Sequence, residues 1–165
     1  MNIARLLRHL FTPAWRVRQA LGAADRAALA AAVAASERQH RGELRLVVEG
    51  PLSLAALLRG QTPRQRAGEL FGALGVWDTA ENSGVLLYVQ HVDRRVEILA
   101  DRGIAAKVPQ AEWEALCRAM EAAFARDEYR AGLQAAIDGA TRLLVAHFPA
   151  VAGDRNELPD APLLL

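Results

Sequence analysis

The chain has 165 residues, 52% of them hydrophobic and 24% charged, with a formal net charge of +1. This composition suits one domain around a single core, and the near-neutral balance, without basic and aromatic interleaving, excludes a nucleic-acid surface built on bulk charge. A single cysteine, Cys117, rules out an intramolecular disulfide. No run approaches the roughly 20 apolar residues of a membrane span, so a cytoplasmic protein, at most peripheral at the membrane, is expected.

Residues 1–22 read as a basic amphipathic helical extension. Arg5, Arg8, Arg16 and Arg18 have no acid among them to balance their charge. Arg8 and His9 interrupt the apolar residues, which argues against a signal peptide. Ile3, Leu6, Leu7 and Leu10 share one face of a helix over 3–10, and Thr12-Pro13 is the expected start of a second helix that carries Trp15 inside. Two roles suit such an arm. It packs on the domain with its arginines in water, or it docks on an anionic membrane surface or a partner.

Residues 23–149 carry the folded domain. Ala23 to Gln39 is alanine-rich and helical, and Glu43–Glu49 alternates as a strand before Gly50-Pro51. Ser53 caps a short helix. Thr62-Pro63-Arg64-Gln65 is a capping box with proline at the first helical position, opening a helix that Gly75 ends. A strand, helices and a strand form a crossover unit, which predicts parallel pairing.

Gly84 to His91 is apolar enough for a central strand. Asp93-Arg94 turns it into an antiparallel return over Arg95–Asp101, with facing residues summing to about 186, so that Gly84 is expected to face the region of Arg102. Two helices follow, about Gln110–Ala125 and from a cap at Asp127 to His147. Trp113, Cys117 and Met120 fall on the apolar stripe of the first and belong to the core. Residues 150–165 lack periodicity and are expected to be a disordered tail. The sum is an α/β fold, a three-layer α/β/α sandwich around a small mixed β-sheet.

Strand pairing brings Asp78, Glu81 and Asn82 of the loop before Gly84 to the same sheet end as Asp101, with Glu43 expected nearby. Carboxylates with an amide oxygen suit a hard cation, so Asp78, Asn82 and Asp101, with Glu81 as helper, are the candidate site for Ca²⁺ or Mg²⁺. The simpler alternative is a capped turn entering the strand. A competing set, Glu49, His91 and Asp93, lies at the carboxyl ends of the strands, where open α/β sheets favour ligands. His9, His40, His91 and His147 are scattered without metal-ligand spacing. No phosphate-cradling loop accompanies Cys117-Arg118, so any hydrolysis would need a metal-activated water.

Four segments together resemble the TPM domain, the family of the thylakoid-lumen acid phosphatase and photosystem-repair proteins. They are Asn82-Ser-Gly-Val-Leu-Leu-Tyr-Val89, Asp93-Arg-Arg-Val-Glu-Ile98, Ala100-Asp-Arg-Gly-Ile104 and Phe124-Ala-Arg-Asp-Glu-Tyr-Arg-Ala-Gly-Leu133. The resemblance implies an α/β/α sandwich, divalent-cation binding through loop acids, phosphatase activity, and partnership with membrane proteins of LemA type. Ala100-Asp101 departs from the family's Gly-x-Gly at that place. The expectation for function is a metal-binding accessory module for a membrane-associated partner, with a metal-dependent phosphomonoester hydrolase as the alternative.

Overall fold

The computed structural model describes residues 2–151 and 156–165. Its sheet contains β1 (Glu43–Glu49), β2 (Gly84–Gln90), β3 (Arg95–Ala100) and β4 (Leu163–Leu164), in the order β3-β2-β1-β4. β1 and β2 pair in parallel, with Glu43 opposite Gly84 and Glu49 opposite Gln90. The crossover between them runs through α4 (Leu54–Leu58) and α5 (Pro63–Ala73). At the start of α5, Thr62 accepts from the Gln65 amide while Gln65 accepts from the Thr62 amide. This reciprocal capping box satisfies two amides that a helix start otherwise leaves open.

Both faces of the sheet are covered. Leu46, Val48, Leu87, Val89 and Ile98 pack with α3 (Ala23–Glu37), α7 (Gln110–Ala125) and α8 (Tyr129–His147) through Leu29, Val33, Trp113, Met120, Ile137 and Leu144. On the other face Val47, Leu86 and Tyr88 meet Ala67 and Leu70 of α5. The strand period of two thus sends alternate residues into two separate cores, and the result is the expected α/β/α sandwich. Cys117 packs against the larger core, half-buried.

Several local expectations are corrected. Residues 91–94 form the turn with Arg94 left-handed at φ 52, so Gln90 pairs with Arg95 and Gly84 faces Asp101, not Arg102. Asp127, the expected cap, is itself left-handed at φ 59, and Glu128 takes the position before α8. A further one-turn helix, α6 (Arg102–Ala105), follows β3. Glu43 does lie beside Gly84 and Ser83 as expected, and its carboxylate accepts from the Leu158 amide.

The expected disordered tail spanned 150–165. Of it, 152–155 lie outside the described residues, but 156–165 are held in place. Leu163 and Leu164 extend the sheet beside Val47 and Val48, and Leu158 is buried. The physical reason lies in β1, where Arg45 is buried and its guanidinium donates to the carbonyls of Pro159 and Ala161, each at 2.7 Å. A charge inside a strand requires acceptors, and the tail supplies them.

The N-terminal arm differs most. α1 (Ile3–Phe11) packs with its polar side inward: His9 is 2% exposed, and its Nε2 lies 3.2 Å from Asp93. Its Nδ1 accepts from the Leu52 amide, and Arg5 reaches Asp93 at 2.8 Å and the Gln61 carbonyl at 2.8 Å. Of the apolar face only Leu6 packs down, against Leu52, Ala56 and Leu57. α2 (Trp15–Ala20) starts later than Thr12-Pro13 suggested, burying Val17 while Trp15 stays exposed. Among the described residues no helix is long and apolar enough to cross a membrane.

Candidate functional site

The loop from Val76 to Ser83 leaves α5 through Gly75 at φ +67 and enters β2 through Asn82 at φ 53. Thr79 stitches it: its hydroxyl accepts from the Ser83 amide and its carbonyl from the Asn82 amide. The loop lies on Gly103, whose amide donates to the Asn82 carbonyl. A Cβ at position 103 would sit 2.6 Å from both the Glu81 and Asn82 carbonyl oxygens. Only glycine permits this approach, which seats the loop on α6.

Asn82 and Asp101 therefore come to one end of the sheet. The Asp101 Oδ1 accepts from the Arg102 amide at 2.7 Å as the cap of α6, while its Oδ2 is buried without a hydrogen-bond partner. Asp78 is exposed on the loop. Two cations already engage Asn82 and Glu81. Arg102 Nε donates to Asn82 Oδ1 at 2.8 Å, and Arg41 holds the Glu81 carboxylate with a contact of 2.7 Å.

A Ca²⁺ ion takes six to eight oxygens and Mg²⁺ about six. Among the described residues no cluster of three or more His, Cys, Asp or Glu is arranged to hold a metal. As arranged, two of the four predicted residues are engaged by arginines, Asn82 by Arg102 and Glu81 by Arg41, before any ion could use them. Arg102 would have to release Asn82, and Glu81 would have to leave Arg41. Oxygen-bearing side chains alone signalled this site in the sequence; of the two arginines that serve them, Arg102 follows Asp101 directly and Arg41 comes from the segment before β1.

The competing set does not assemble into one site either. Glu49 is buried, taking bonds from Arg66 at 2.7 to 3.1 Å and from the Tyr88 hydroxyl at 2.6 Å. Burial and the Glu49 charge both push the Tyr88 phenol well above its ordinary range. Asp93 anchors the arm instead. Burial alone would raise its carboxyl, but bonds from His9 and Arg5 outweigh this and hold it below the usual range. His91 packs against Tyr129, with ring centroids 4.7 Å apart, and shares a cleft with Asp93 but not with Glu49.

A third feature is the surface of α1 and its neighbours. Ile3, Leu7, Leu10 and Phe11 are 46 to 80% exposed, and their spacing places them on one helical face. Trp15 on α2 is 57% exposed, and Leu54 and Leu58 on α4, the helix that α1 packs against, are 51 and 57% exposed. Arg8, Arg16 and Arg18 are exposed along the same segment, and the first acid of the chain is Asp25.

A mixed four-stranded sheet, with a parallel crossover unit and a hairpin between helical layers, defines an α/β/α module with an appended arm. The chain belongs to the TPM-domain family, whose model matches residues 17–143. It is similar to the BA42 protein of the psychrophilic bacterium Bizionia argentinensis, at 27% identity and a TM-score of 0.77 over 88% of this chain and 95% of that one. It is also similar to the N-terminal domain of a protein from P. gingivalis, at 18% identity and a TM-score of 0.62 over 87% and 96% of the two chains. No curated protein matches.

Proposed function

We propose that the protein is a non-catalytic TPM-domain accessory module that docks on an anionic membrane surface, where its membrane-associated partner resides. The observation that carries this reading is the inverted seating of α1. An amphipathic helix that packs on a core normally buries its apolar stripe. Here the buried anchor Asp93 draws Arg5 and His9 inward and leaves Ile3, Leu7, Leu10 and Phe11 in water. Contiguous exposed apolar surface rimmed by polar groups marks an interaction face, and exposed arginines beside it, Arg16 and Arg18 without an ion pair among the described residues, select an anionic interface.

The test is co-sedimentation with vesicles. Wild-type protein is expected to pellet with phosphatidylcholine vesicles containing phosphatidylglycerol and to stay in solution with phosphatidylcholine alone. Leu7→Ser/Phe11→Ser changes only exposed positions, so it keeps the fold and loses the pelleting. Equal pelleting of the variant would overturn the proposal.

A divalent-cation role has one observation in its favour, the buried Asp101 Oδ2 without a partner. Titration with Ca²⁺ followed by NMR tests it: saturable shifts at residues 78–83 and 101–103 support it, and their absence removes it. The hydrolase alternative depends on a water activated by such an ion and falls with that titration, and Cys117 offers no substitute. The Cys117 thiol is pushed up to about 11 by burial, so it is a poor nucleophile at neutral pH.

A further inference from the structure

A cleft of about 690 Å³ opens between the arm and the sheet, lined among others by Arg8, Arg16, His91, Asp93, Arg94 and Tyr129. It lies at the carboxyl end of β2, since His91 follows directly on Gln90. That is the end of an open α/β sheet where ligands collect, and it is opposite to the acidic loop. Arg8 and Arg16 precede residues 17–143, so the cleft is partly built by a segment outside the family match.

The charges in the cleft do not cancel. Asp93 is 7% exposed and already faces Arg5 at 2.8 Å, His9 at 3.2 Å and Arg8 at 3.7 Å. Asp127 is paired with Arg94 at 3.1 Å. Arg16 is exposed at the cleft with no ion pair among the described residues, and Arg8 remains 60% exposed. Arg16 and Arg94 both bear on His91, whose proton affinity falls through burial first and these two cations second. Burial and the two cations favour the neutral imidazole, and the positive charge belongs to the guanidiniums.

We propose that this cleft binds a phosphate group carried by a small molecule or a lipid headgroup. Guanidinium groups bond phosphate oxygens in pairs and keep their charge at every relevant pH. The volume exceeds what one phosphate fills, which leaves room for the group esterified to it. No bond is made or broken, because the cleft holds no activated nucleophile. The cleft shares Arg8 and Arg16 with the docking face but none of its apolar residues, so Leu7→Ser/Phe11→Ser tests that face and Arg16→Ala/Arg94→Asn tests the cleft.

The experiment is an NMR titration of the full chain with inorganic phosphate. Saturable shifts are expected at the amides of Val92 to Arg94 and of Tyr129. Arg16→Ala/Arg94→Asn should weaken binding by about tenfold or more, the scale of losing charge-assisted bonds. Asn is chosen because it tolerates the left-handed backbone at position 94. Shifts that grow linearly without saturating, or unchanged affinity in a folded variant, would overturn the proposal. A second arm identifies the source, using phosphatidylcholine vesicles that contain phosphatidate or, at matched charge, phosphatidylglycerol. A preference for phosphatidate that inorganic phosphate displaces assigns the ligand to a headgroup. Saturable phosphate binding that leaves sedimentation unchanged assigns it to a soluble phosphate ester.

Discussion

Glu37 offers a pH-dependent test of how the C-terminal segment is built into the fold. Its carboxyl sits at the end of α3, accepting from the Leu44 amide at 2.9 Å and from Asn156 at 3.3 Å. Burial, with smaller contributions from Glu43 and Asp160, pushes it from 4.5 up to about 8. The folded state therefore holds a proton that the unfolded chain releases, and stability falls as pH rises from about 4.5 through about 8. At about 1.36 kcal/mol per unit the full displacement corresponds to roughly 5 kcal/mol. Solvent screening of this partly exposed carboxyl reduces it to about 2 kcal/mol. Glu37→Gln keeps an acceptor for Leu44 and a donor for Asp160 without the titration. Urea unfolding at pH about 5 and about 8.5 should show wild type losing about 2 kcal/mol across the interval while the variant stays level. Equal pH slopes in the two proteins would refute the reasoning.

Three other outcomes follow from particular contacts. Gly103→Ala drives a Cβ against two backbone carbonyls and should cost about 3 kcal/mol in urea unfolding, whereas Gly68→Ala, with open space around it inside α5, should stabilise by about 0.5–1 kcal/mol. Asp93→Asn leaves Arg5 and His9 without their buried anion, so limited proteolysis should release residues 1–12 much faster than in wild type. Acidification should act the same way, since the Asp93 carboxyl is held low and its contribution is lost as pH falls through that depressed value. A chain ended at Val151 loses the Leu158 contact and both acceptors of Arg45, and should lose about 3 kcal/mol or more in the same unfolding assay.

What was legible in the sequence was mostly local. The limits of β1, the capping box at Thr62 and the hairpin around Asp93-Arg94 follow from alternation, capping chemistry and turn residues, and the structure has them. The register slipped by one because the left-handed Arg94 lengthens the turn to four residues, which pattern alone does not reveal. The tail was illegible because β4 pairs only two residues with a strand more than a hundred positions earlier. The charge of Arg45 amid the apolar run of β1 was the signal that something had to cover it.

The same distinction applies to the sites. The convergence of Asn82 with Asp101 was readable from strand pairing, but Arg41 and Arg102 come from outside the loop and claim its oxygens. The hydrophobic period of α1 was readable as well. It defines two faces without saying which one docks. Asp93, some eighty residues away, decides that by drawing the polar face inward.

Membrane docking is the central claim, and Trp15 reports on it directly. It lies on α2 beside the exposed face of α1, 57% exposed, while Trp113 is buried in the core. In a Trp77→Phe background, fluorescence of Trp15 is followed as phosphatidylglycerol-containing vesicles are added. A blue shift with quenching by brominated acyl chains, absent with phosphatidylcholine alone, is the predicted result. Unchanged Trp15 emission at saturating anionic lipid would contradict the account.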